Sequence, residues 1–291
     1  MEDHILRLTA GGGSVLAFIA DTRQTVGRAA EIHRGTPVVS AALGRLLTAA
    51  AIIGATLKND GDLVTLSIRG DGPLGGIVAT SDNKSRVKGY PFNRDADAPL
   101  TDKGKLNISA VIGNGSLHII KDMGLKEPYA GSVPLVSGEI AEDLASYYAA
   151  SEQTPSAVGL GVLVDRDHSI KRAGGFIIQL LPGAGEKIIT AIEKSVGGFD
   201  SVTSFFDRDK TTYDLAELFF GEVGFAVNEK IPVAYYCNCN RGRVEKALIS
   251  LGDEELKKII SEDGKAVMHC HFCRTDYNFD ETELKKILES M

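Results

Sequence analysis

Four cysteines, all in the last fifth of the chain, constrain its folding more than any other feature. They form two short pairs, Cys237-Asn-Cys239 and Cys270-His-Phe-Cys273, separated by the segment 240–269. Each pair can supply two corners of a tetrahedral site of soft sulfur donors, provided that the intervening segment folds back. The sequence therefore predicts one Zn²⁺ bound by Cys237, Cys239, Cys270 and Cys273.

The Cys-x-Cys half indicates more than a static metal site. In an extended strand, residues two apart have alpha carbons about 6.6 Å apart, at the upper edge of what a disulfide tolerates. Strained disulfides between near neighbours are the labile, regulatory kind. Sulfur atoms around zinc lie roughly 3.8 Å apart, whereas a disulfide needs about 2.05 Å. The same four sulfurs can therefore hold metal or form disulfides, but not both at once.

Other residues near the pairs have alternative interpretations. His269 and His271 could replace a cysteine as ligands, but in an extended segment they point away from the face that Cys270 occupies. Four-cysteine ligation is therefore favoured. Three nearby arginines either offset the negative charge of four thiolates around one Zn²⁺ or are simply solvated: Arg241, Arg243 and Arg274.

Composition argues against several partners. The chain is 43% apolar with a formal net charge of −7, and residues 232–291 hold nine basic against eleven acidic side chains. Nucleic acid and anionic membrane surfaces both need a concentrated basic face, so neither is expected as a partner. The acidic start, Met1-Glu-Asp, does not suit a secretory signal, so we expect a reducing cytoplasm with free thiols. The apolar run 38–57 contains Arg45 and favours a buried core helix over a membrane span.

Hydrophobic patterns predict an α+β fold with three parts. Residues 1–182 are expected to form a mixed N-terminal domain of mainly antiparallel sheets packed by helices. Its predicted strands lie near 5–10, 14–20, 64–69, 76–81, 86–90, 116–121, 129–135, 157–165 and 175–181, and its helices near 22–34, 38–57 and 138–151. A small zinc-binding domain is expected over residues 232–291.

Residues 183–231 are predicted to be a helical linker, with helices near 186–196 and 212–220. The segment is too aromatic for a simple tether. It holds six of the chain's eleven phenylalanines: Phe199, Phe205, Phe206, Phe219, Phe220 and Phe225. These rings are expected to pack the helices onto the first domain in some state, and what matters is whether that packing holds in every state.

The C-terminal part has few apolar anchors. Asp253 is a candidate helix cap, and Asp280-Glu-Thr-Glu283 resembles a capping box before a third helix. About 60 residues with so small a core are marginal alone. Structural zinc can supply on the order of 10 to 16 kcal/mol, which is enough to decide whether such a module folds.

Motifs for nucleotide binding and catalysis are weak. Gly70-Asp-Gly-Pro-Leu-Gly75 matches a dinucleotide fingerprint but precedes a strand-like segment, so a glycine hairpin turn is favoured. The sequence contains no P-loop, nucleophile elbow or zinc-protease motif, and its six histidines form no catalytic pattern with acids. Neither an enzyme nor a nucleotide-binding protein is expected.

Several segments together are similar to a known family. The chain resembles the thirty-three-kilodalton heat-shock chaperonin family, the bacterial redox-regulated holdases, along nearly its whole length. Besides the cysteine pairs, the resemblance rests on Ala42-Leu-Gly-Arg, Ser137-Gly-Glu-Ile-Ala-Glu-Asp-Leu, Ser151-Glu-Gln-Thr-Pro-Ser-Ala and Ala173-Gly-Gly-Phe-Ile-Ile-Gln-Leu.

The resemblance implies a cytoplasmic, ATP-independent chaperone that is zinc-bound and inactive when reduced. It implies that oxidation joins Cys237 to Cys239 and Cys270 to Cys273, releases zinc, unfolds the tail and linker, and produces a homodimer that binds unfolding client proteins. Our hypothesis adds that the Phe-rich segment contributes client-binding surface. One alternative is a zinc-ribbon interaction protein with a purely structural metal, and another is an oxidoreductase that uses Cys-x-x-Cys directly.

Overall fold

The computed structural model describes residues 2–291, which form two compact units, one ending at Tyr236 and the other spanning Cys237–Met291. The first unit contains the following elements in chain order: β1 (His4–Ala10), β2 (Val15–Asp21), α1 (Arg23–His33), α2 (Pro37–Gly54), β3 (Leu63–Gly70), β4 (Gly76–Asp82), β5 (Arg86–Pro91), α3 (Ile108–Ile112), β6 (Gly115–Asp122), β7 (Tyr129–Pro134), α4 (Ile140–Ala150), β8 (Ser156–Val164), β9 (Ile170–Leu180), α5 (Glu186–Gly197), α6 (Val202–Asp207), α7 (Thr212–Phe220), β10 (Phe225–Pro232) and β11 (Ala234–Tyr235). The second unit contains α8 (Arg241–Ile249), α9 (Asp253–Glu262), β12 (Lys265–His269), β13 (Asp276–Asp280) and α10 (Glu281–Glu289).

The strands of the first unit form two sheets within the described residues. The first sheet has the order β10-β1-β2-β9-β8 and is antiparallel throughout. The second has the order β11-β5-β4-β3-β6-β7 and is antiparallel except for the short parallel pair β11–β5. The predicted α+β class with mainly antiparallel sheets is confirmed.

Helix α2 is the central core helix, in contact with strands of both sheets. The Thr36 hydroxyl caps it by accepting a hydrogen bond from the Val39 amide, and Pro37 occupies the first turn, where a missing N–H is tolerated. By length and composition the helix could cross a membrane, but 89% of it is buried inside the protein. The prediction of a buried core helix over this run is confirmed.

Strand β2 shows why the first sheet is covered on both faces. Leu16, Phe18 and Ala20 point into the core around α2, whereas the alternate residues Val15, Ala17 and Ile19 join a second core with α5, α6 and α7. Side chains alternate between the two faces of a strand, so an uninterrupted apolar run requires cover on each side. Helices α5–α7 supply the second cover.

Strand β10 corrects the predicted secondary structure of the linker. The sequence predicts a helical segment up to residue 231, but residues 225–231 pair antiparallel with β1 as an edge strand. Phe225 and Val227 are partly buried and Ile231 is buried, whereas the other residues of the strand are exposed, as expected of an edge strand with one face on the core. Residues 183–231 lie in the same compact unit as the residues before them, and the chain divides after Tyr236. The three-part division with boundaries at 182 and 231 stays a prediction.

The second unit has a small core of Leu248, Leu256, Phe279, Leu284 and Ile287. The capping box before α10 is present: the Asp280 carboxylate accepts from the Glu283 amide at 2.9 Å, and the Glu283 carboxylate accepts from the Asp280 amide at 3.1 Å. The expected cap at Asp253 is wrong, because Gly252 occupies that position and the Asp253 side chain pairs with Lys257 at 2.6 Å.

Tyr235 anchors the end of the first unit. Its hydroxyl donates to the Gly89 carbonyl at 2.9 Å and lies 3.3 Å from Nε2 of the buried His33, while the next amide, that of Tyr236, donates to the Val87 carbonyl at 2.8 Å. These bonds fix the two-residue strand β11 beside β5.

We therefore expect Tyr235→Phe to lower the free energy of unfolding of the first unit by about 1 kcal/mol, the usual contribution of one hydrogen bond. Chemical denaturation of the full chain measures the change, with Tyr213→Phe, at a half-exposed site on α7, as the control. Equal stability of Tyr235→Phe and the parent protein would contradict the anchoring role.

Candidate metal centre

The four cysteines converge in the second unit. Their Sγ atoms all lie within 4.8 Å of one another, and the side chains are half-buried. Cys237 and Cys239 lie in the extended segment before α8, whose first turn is capped by the Asn240 side chain at 3.0 Å. The structure thus brings together the four cysteines that the sequence predicts.

The second pair is held by the β12–β13 hairpin. The Cys270 amide donates to the Thr275 carbonyl at 3.0 Å, and the Arg274 amide donates to the Cys270 carbonyl at 2.7 Å. Arg274 adopts a left-handed conformation with φ of 58°. This tight turn brings Cys270 and Cys273 to the same side of the hairpin.

The sulfur positions suit a tetrahedral soft-metal site. Cys237 Sγ lies 3.7 Å from Cys270 Sγ, and Cys239 Sγ lies 3.2 Å from Cys273 Sγ. These separations are close to the roughly 3.8 Å expected between thiolates around zinc and far from the disulfide length of about 2.05 Å. All four are free thiols, so the donor set fits a metal ion held by four sulfurs.

Local hydrogen bonds give the thiols different acidities. Burial raises the pKa of Cys237 to about 12, and the neighbouring Cys270 adds to the effect. Burial also opposes ionisation of Cys273, but the Thr275 hydroxyl, 3.2 Å from its sulfur, helps to lower the pKa of Cys273 to about 7. In the metal-free protein, Cys273 is therefore much more of a thiolate at neutral pH than Cys237.

Tyr277 contributes to the cluster and was missed by sequence reasoning. Its hydroxyl donates to Cys239 Sγ at 3.1 Å, and this bond raises the pKa of Tyr277 to about 12. The contact depends on the register of the hairpin, in which Tyr277 pairs with Met268. A tyrosine shortly after a Cys-x-x-Cys pair gives no sequence signal of its own.

The histidines and one arginine have other partners. His269 Nδ1 lies 2.6 Å from the Asp276 carboxylate, and among residues 2–291 the grouping of potential ligands at this centre contains the cysteines and neither His269 nor His271. The Arg241 guanidinium bonds the Glu283 carboxylate at 2.6 Å and stacks 4.2 Å from the centre of the Phe279 ring. Arg241 thus serves the local packing of α8 against α10.

The six predicted phenylalanines lie in the first unit, on the face of the first sheet that α5–α7 cover. Phe206, Phe219 and Phe220 are buried, and the other three are partly buried around them. Phe219 is the centre of the ring contacts, with centroids 4.9 Å from Phe176 and 5.1 Å from Phe199. In this state the rings are core, not surface.

An α+β unit followed by a small unit built around four cysteines defines the class of protein: a two-unit protein with a C-terminal thiol centre. The family model for Hsp33 protein matches residues 3–280, and the chain belongs to the Hsp33 family of chaperones.

Curated relatives and a solved structure agree with this assignment. The 33 kDa chaperonin of Lachnoclostridium phytofermentans is 46% identical over 288 residues, covering 99% of each chain, and that of Clostridioides difficile is 45% identical over 292 residues, covering 100% of each. The crystal structure of the 33 kDa chaperonin from Thermotoga maritima superposes with a TM-score of 0.92 at 37% identity, covering 100% of this chain and 99% of that one. The resemblance predicted from the sequence is confirmed, and the family is one of chaperones.

In the first moments after rapid chelation of the metal, while the second unit is still folded, the pKa values predict an order of alkylation. At pH 7 a thiol with a pKa of about 7 is about half ionised, whereas one with a pKa of about 12 is protonated, so Cys273 should react with iodoacetamide well before Cys237. Time-resolved mass spectrometry of the labelled peptides measures the order.

Thr275→Val removes the hydroxyl and should slow labelling of Cys273 several-fold at pH 7, while Thr282→Val serves as the control. Faster labelling of Cys237 than of Cys273, or no effect of Thr275→Val, would contradict this assignment.

Proposed function

We propose that the chain is a redox-regulated, ATP-independent holdase that binds unfolding proteins and prevents their aggregation under oxidative and heat stress. The observation that carries the proposal is the four-thiol centre, which can bind a metal or form disulfides but not both. The family supports the chaperone part, and the redox part rests on the chemistry of the four cysteines.

Zinc is the metal that best suits the centre. Four thiolates in tetrahedral spacing select zinc over the hard cations, which prefer oxygen ligands. Cys237, Cys239, Cys270 and Cys273 would hold one Zn²⁺ per chain, and the ion would supply folding free energy to the second unit.

The second unit depends on that contribution because its core is small. Only five hydrophobic side chains of Cys237–Met291 are buried, with seven partly buried ones packed against them, and units of this size rarely fold on hydrophobic burial alone. Loss of the metal would therefore unfold the unit. We infer that Cys237–Met291 is a metal-dependent switch, with the proposed switch domain beginning near residue 232.

Oxidation would remove the sulfur donors. A thiolate attacks hydrogen peroxide, the O–O bond breaks, and a sulfenic acid and hydroxide form; the hydroxide takes a proton from solvent to become water. The second thiol of the pair then attacks the sulfenic sulfur, releases a second water and completes the disulfide. One peroxide is reduced for each disulfide made. We propose the pairs that the family resemblance implies, Cys237 with Cys239 and Cys270 with Cys273. A sulfur in a disulfide is no longer a thiolate ligand.

The Phe-rich segment is the proposed source of client-binding surface. Helices α5–α7 bury a row of aromatic rings against the first sheet, so their departure would uncover apolar surface on the helices and the sheet. Large exposed apolar surface binds unfolded chains, whose own apolar side chains are accessible. The same exposure would favour association of two active copies into a homodimer. We expect this activity in the cytoplasm, where the reduced, metal-bound state is maintained.

A single peroxide titration at heat-shock temperature tests the switch. We expect zinc release, loss of free thiols and suppression of a client's thermal aggregation to follow coincident curves, because one event causes all three. A colorimetric zinc chelator, thiol counting and light scattering measure them.

Exchanging Cys237 for serine should weaken zinc retention without peroxide, whereas Ser250→Ala on the same unit should leave all three curves unchanged. Zinc release and disulfide formation without any gain in aggregation suppression would refute the holdase. Retention of zinc under mild peroxide would instead favour a purely structural metal.

The client surface has its own test. The double variant Phe199→Ser/Phe205→Ser removes two partly buried rings, each contributing about 1.5–3 kcal/mol when fully buried. After oxidation we expect client affinity at least tenfold weaker, with an unchanged amount of zinc released. Phe92→Ser, at an exposed ring just after β5 in the second sheet, is the control. Full client protection by the double variant would exclude these rings from client binding.

A further inference from the structure

A groove of about 790 Å³ runs along helix α1 in the first unit. Its lining residues belong neither to the thiol centre nor to the Phe-rich segment. One wall is α1 itself, and the other is the turn between β8 and β9 at residues 167–169. The proposed redox switch makes no use of this groove.

The groove is cationic on an acidic protein. Three arginines from α1 and its C-terminal end line it, against two carboxylates: Arg23, Arg28, Arg34, Glu31 and Asp167. The whole chain carries a formal charge of −7, so this local excess of positive charge stands out from its surroundings. With His168 neutral, the formal excess in the groove is one positive charge, and a local excess of one sign attracts ligands of the opposite sign.

The two carboxylates already have partners. Glu31 pairs with Arg28 at 2.9 Å, and Asp167 accepts hydrogen bonds from the amide and hydroxyl of Ser169 at 2.9 and 2.6 Å. Among residues 2–291, no carboxylate forms an ion pair with Arg23 or Arg34. Their guanidinium groups remain available to a ligand.

Gly27 forms the floor of the groove between these arginines. Arg23, Gly27, Ala30 and Arg34 follow helical spacing along one face of α1. Glycine inside a helix costs about 1 kcal/mol relative to alanine. Close packing does not explain it here, because a Cβ atom at Gly27 would meet nothing within 4 Å. The missing side chain keeps the groove open.

Two non-glycine residues in the walls of the groove adopt left-handed backbone conformations. Arg34 ends α1 with φ of 50°, and His168 stands in the opposite turn with φ of 68°. Left-handed conformations favour glycine, and other residues there are destabilising by roughly 1–2 kcal/mol. Positions at which a sequence forgoes stability are expected to concentrate at functional sites.

We propose that this groove binds a small phosphorylated molecule carrying at least two phosphoryl groups. Guanidinium groups bind phosphate oxygens in paired hydrogen bonds. A phosphoryl group carries more charge than a carboxylate, so it can compete with Glu31 for Arg28. The distance along α1 from Arg23 to Arg34 is about 16 Å, which suits two anionic groups better than one.

Calorimetric titration of the full-length reduced protein with tripolyphosphate at low salt tests the proposal, with inorganic phosphate and citrate as comparison probes. We expect tripolyphosphate to bind at least tenfold more tightly than either. Its affinity should fall as salt rises, because the interaction is ionic.

Two variants remove the site without weakening the fold. Gly27→Leu fills the groove and Arg34→Gly relieves the left-handed strain, so both should unfold at an equal or higher temperature yet bind tripolyphosphate at least tenfold more weakly. Glu31→Gln removes the competing carboxylate and should strengthen binding. Arg208→Ala, at an exposed arginine outside the groove, is the control.

Failure of tripolyphosphate to bind overturns the proposal. Binding that is indifferent to Gly27→Leu and Arg34→Gly, or citrate binding of equal affinity, overturns it as well. None of these outcomes bears on zinc release or client protection, so the proposed holdase function is tested independently of this groove.

Discussion

The fold of the first unit follows from the need to cover both faces of one sheet. The run Val15–Ala20 in β2 is apolar at every position, so alternate side chains must be buried on opposite sides. Helix α2 provides a permanent cover, because it also fills the space beneath the second sheet. Helices α5–α7 provide the other cover and contact little beyond the first sheet and one another. The face of the first sheet that α2 covers is thus part of the central core. The opposite face is covered by α5–α7, which contact fewer other elements.

The thiol centre would, in the proposed function, set a second balance, between binding a metal and forming disulfides. The second unit has five buried core side chains, a short hairpin and three helices, and its surface carries several ion pairs such as that between Lys257 and Asp253. Exposed ion pairs contribute little to stability. The cross-pair approach of the sulfurs places one member of each cysteine pair against a member of the other pair. A metal held by the four sulfurs would therefore join the start of the unit to its hairpin, whereas disulfides within the pairs would not link those two regions through sulfur.

Sequence reasoning succeeded where the determining signal is local. The cysteine spacing, the apolar run of α2 and the capping box at Asp280 each lie within a short stretch of chain, and each has the predicted structure. It failed where pairing partners are distant. Within the linker predicted to be helical, the sequence assigns no strand where β10 lies, because its partner β1 is at the opposite end of the first unit's sequence. The Tyr277 contact to Cys239 depends on hairpin register and on the return of the chain, which no local pattern reveals.

The path of the chain just before Cys237 has a mechanical consequence. Residues 225–235 pass from the outer edge of the first sheet, as β10, to the outer edge of the second, as β11, and the first thiol follows directly after Tyr236. An edge strand has one neighbour, so a pull on its end directed away from that neighbour breaks its hydrogen bonds one after another, starting at the pulled end. Tension at Cys237 would act first on the short β11 and then on the last residues of β10. If this segment detached, the order would be set by its connectivity, with β11 separating before β10 and residue 225 separating last.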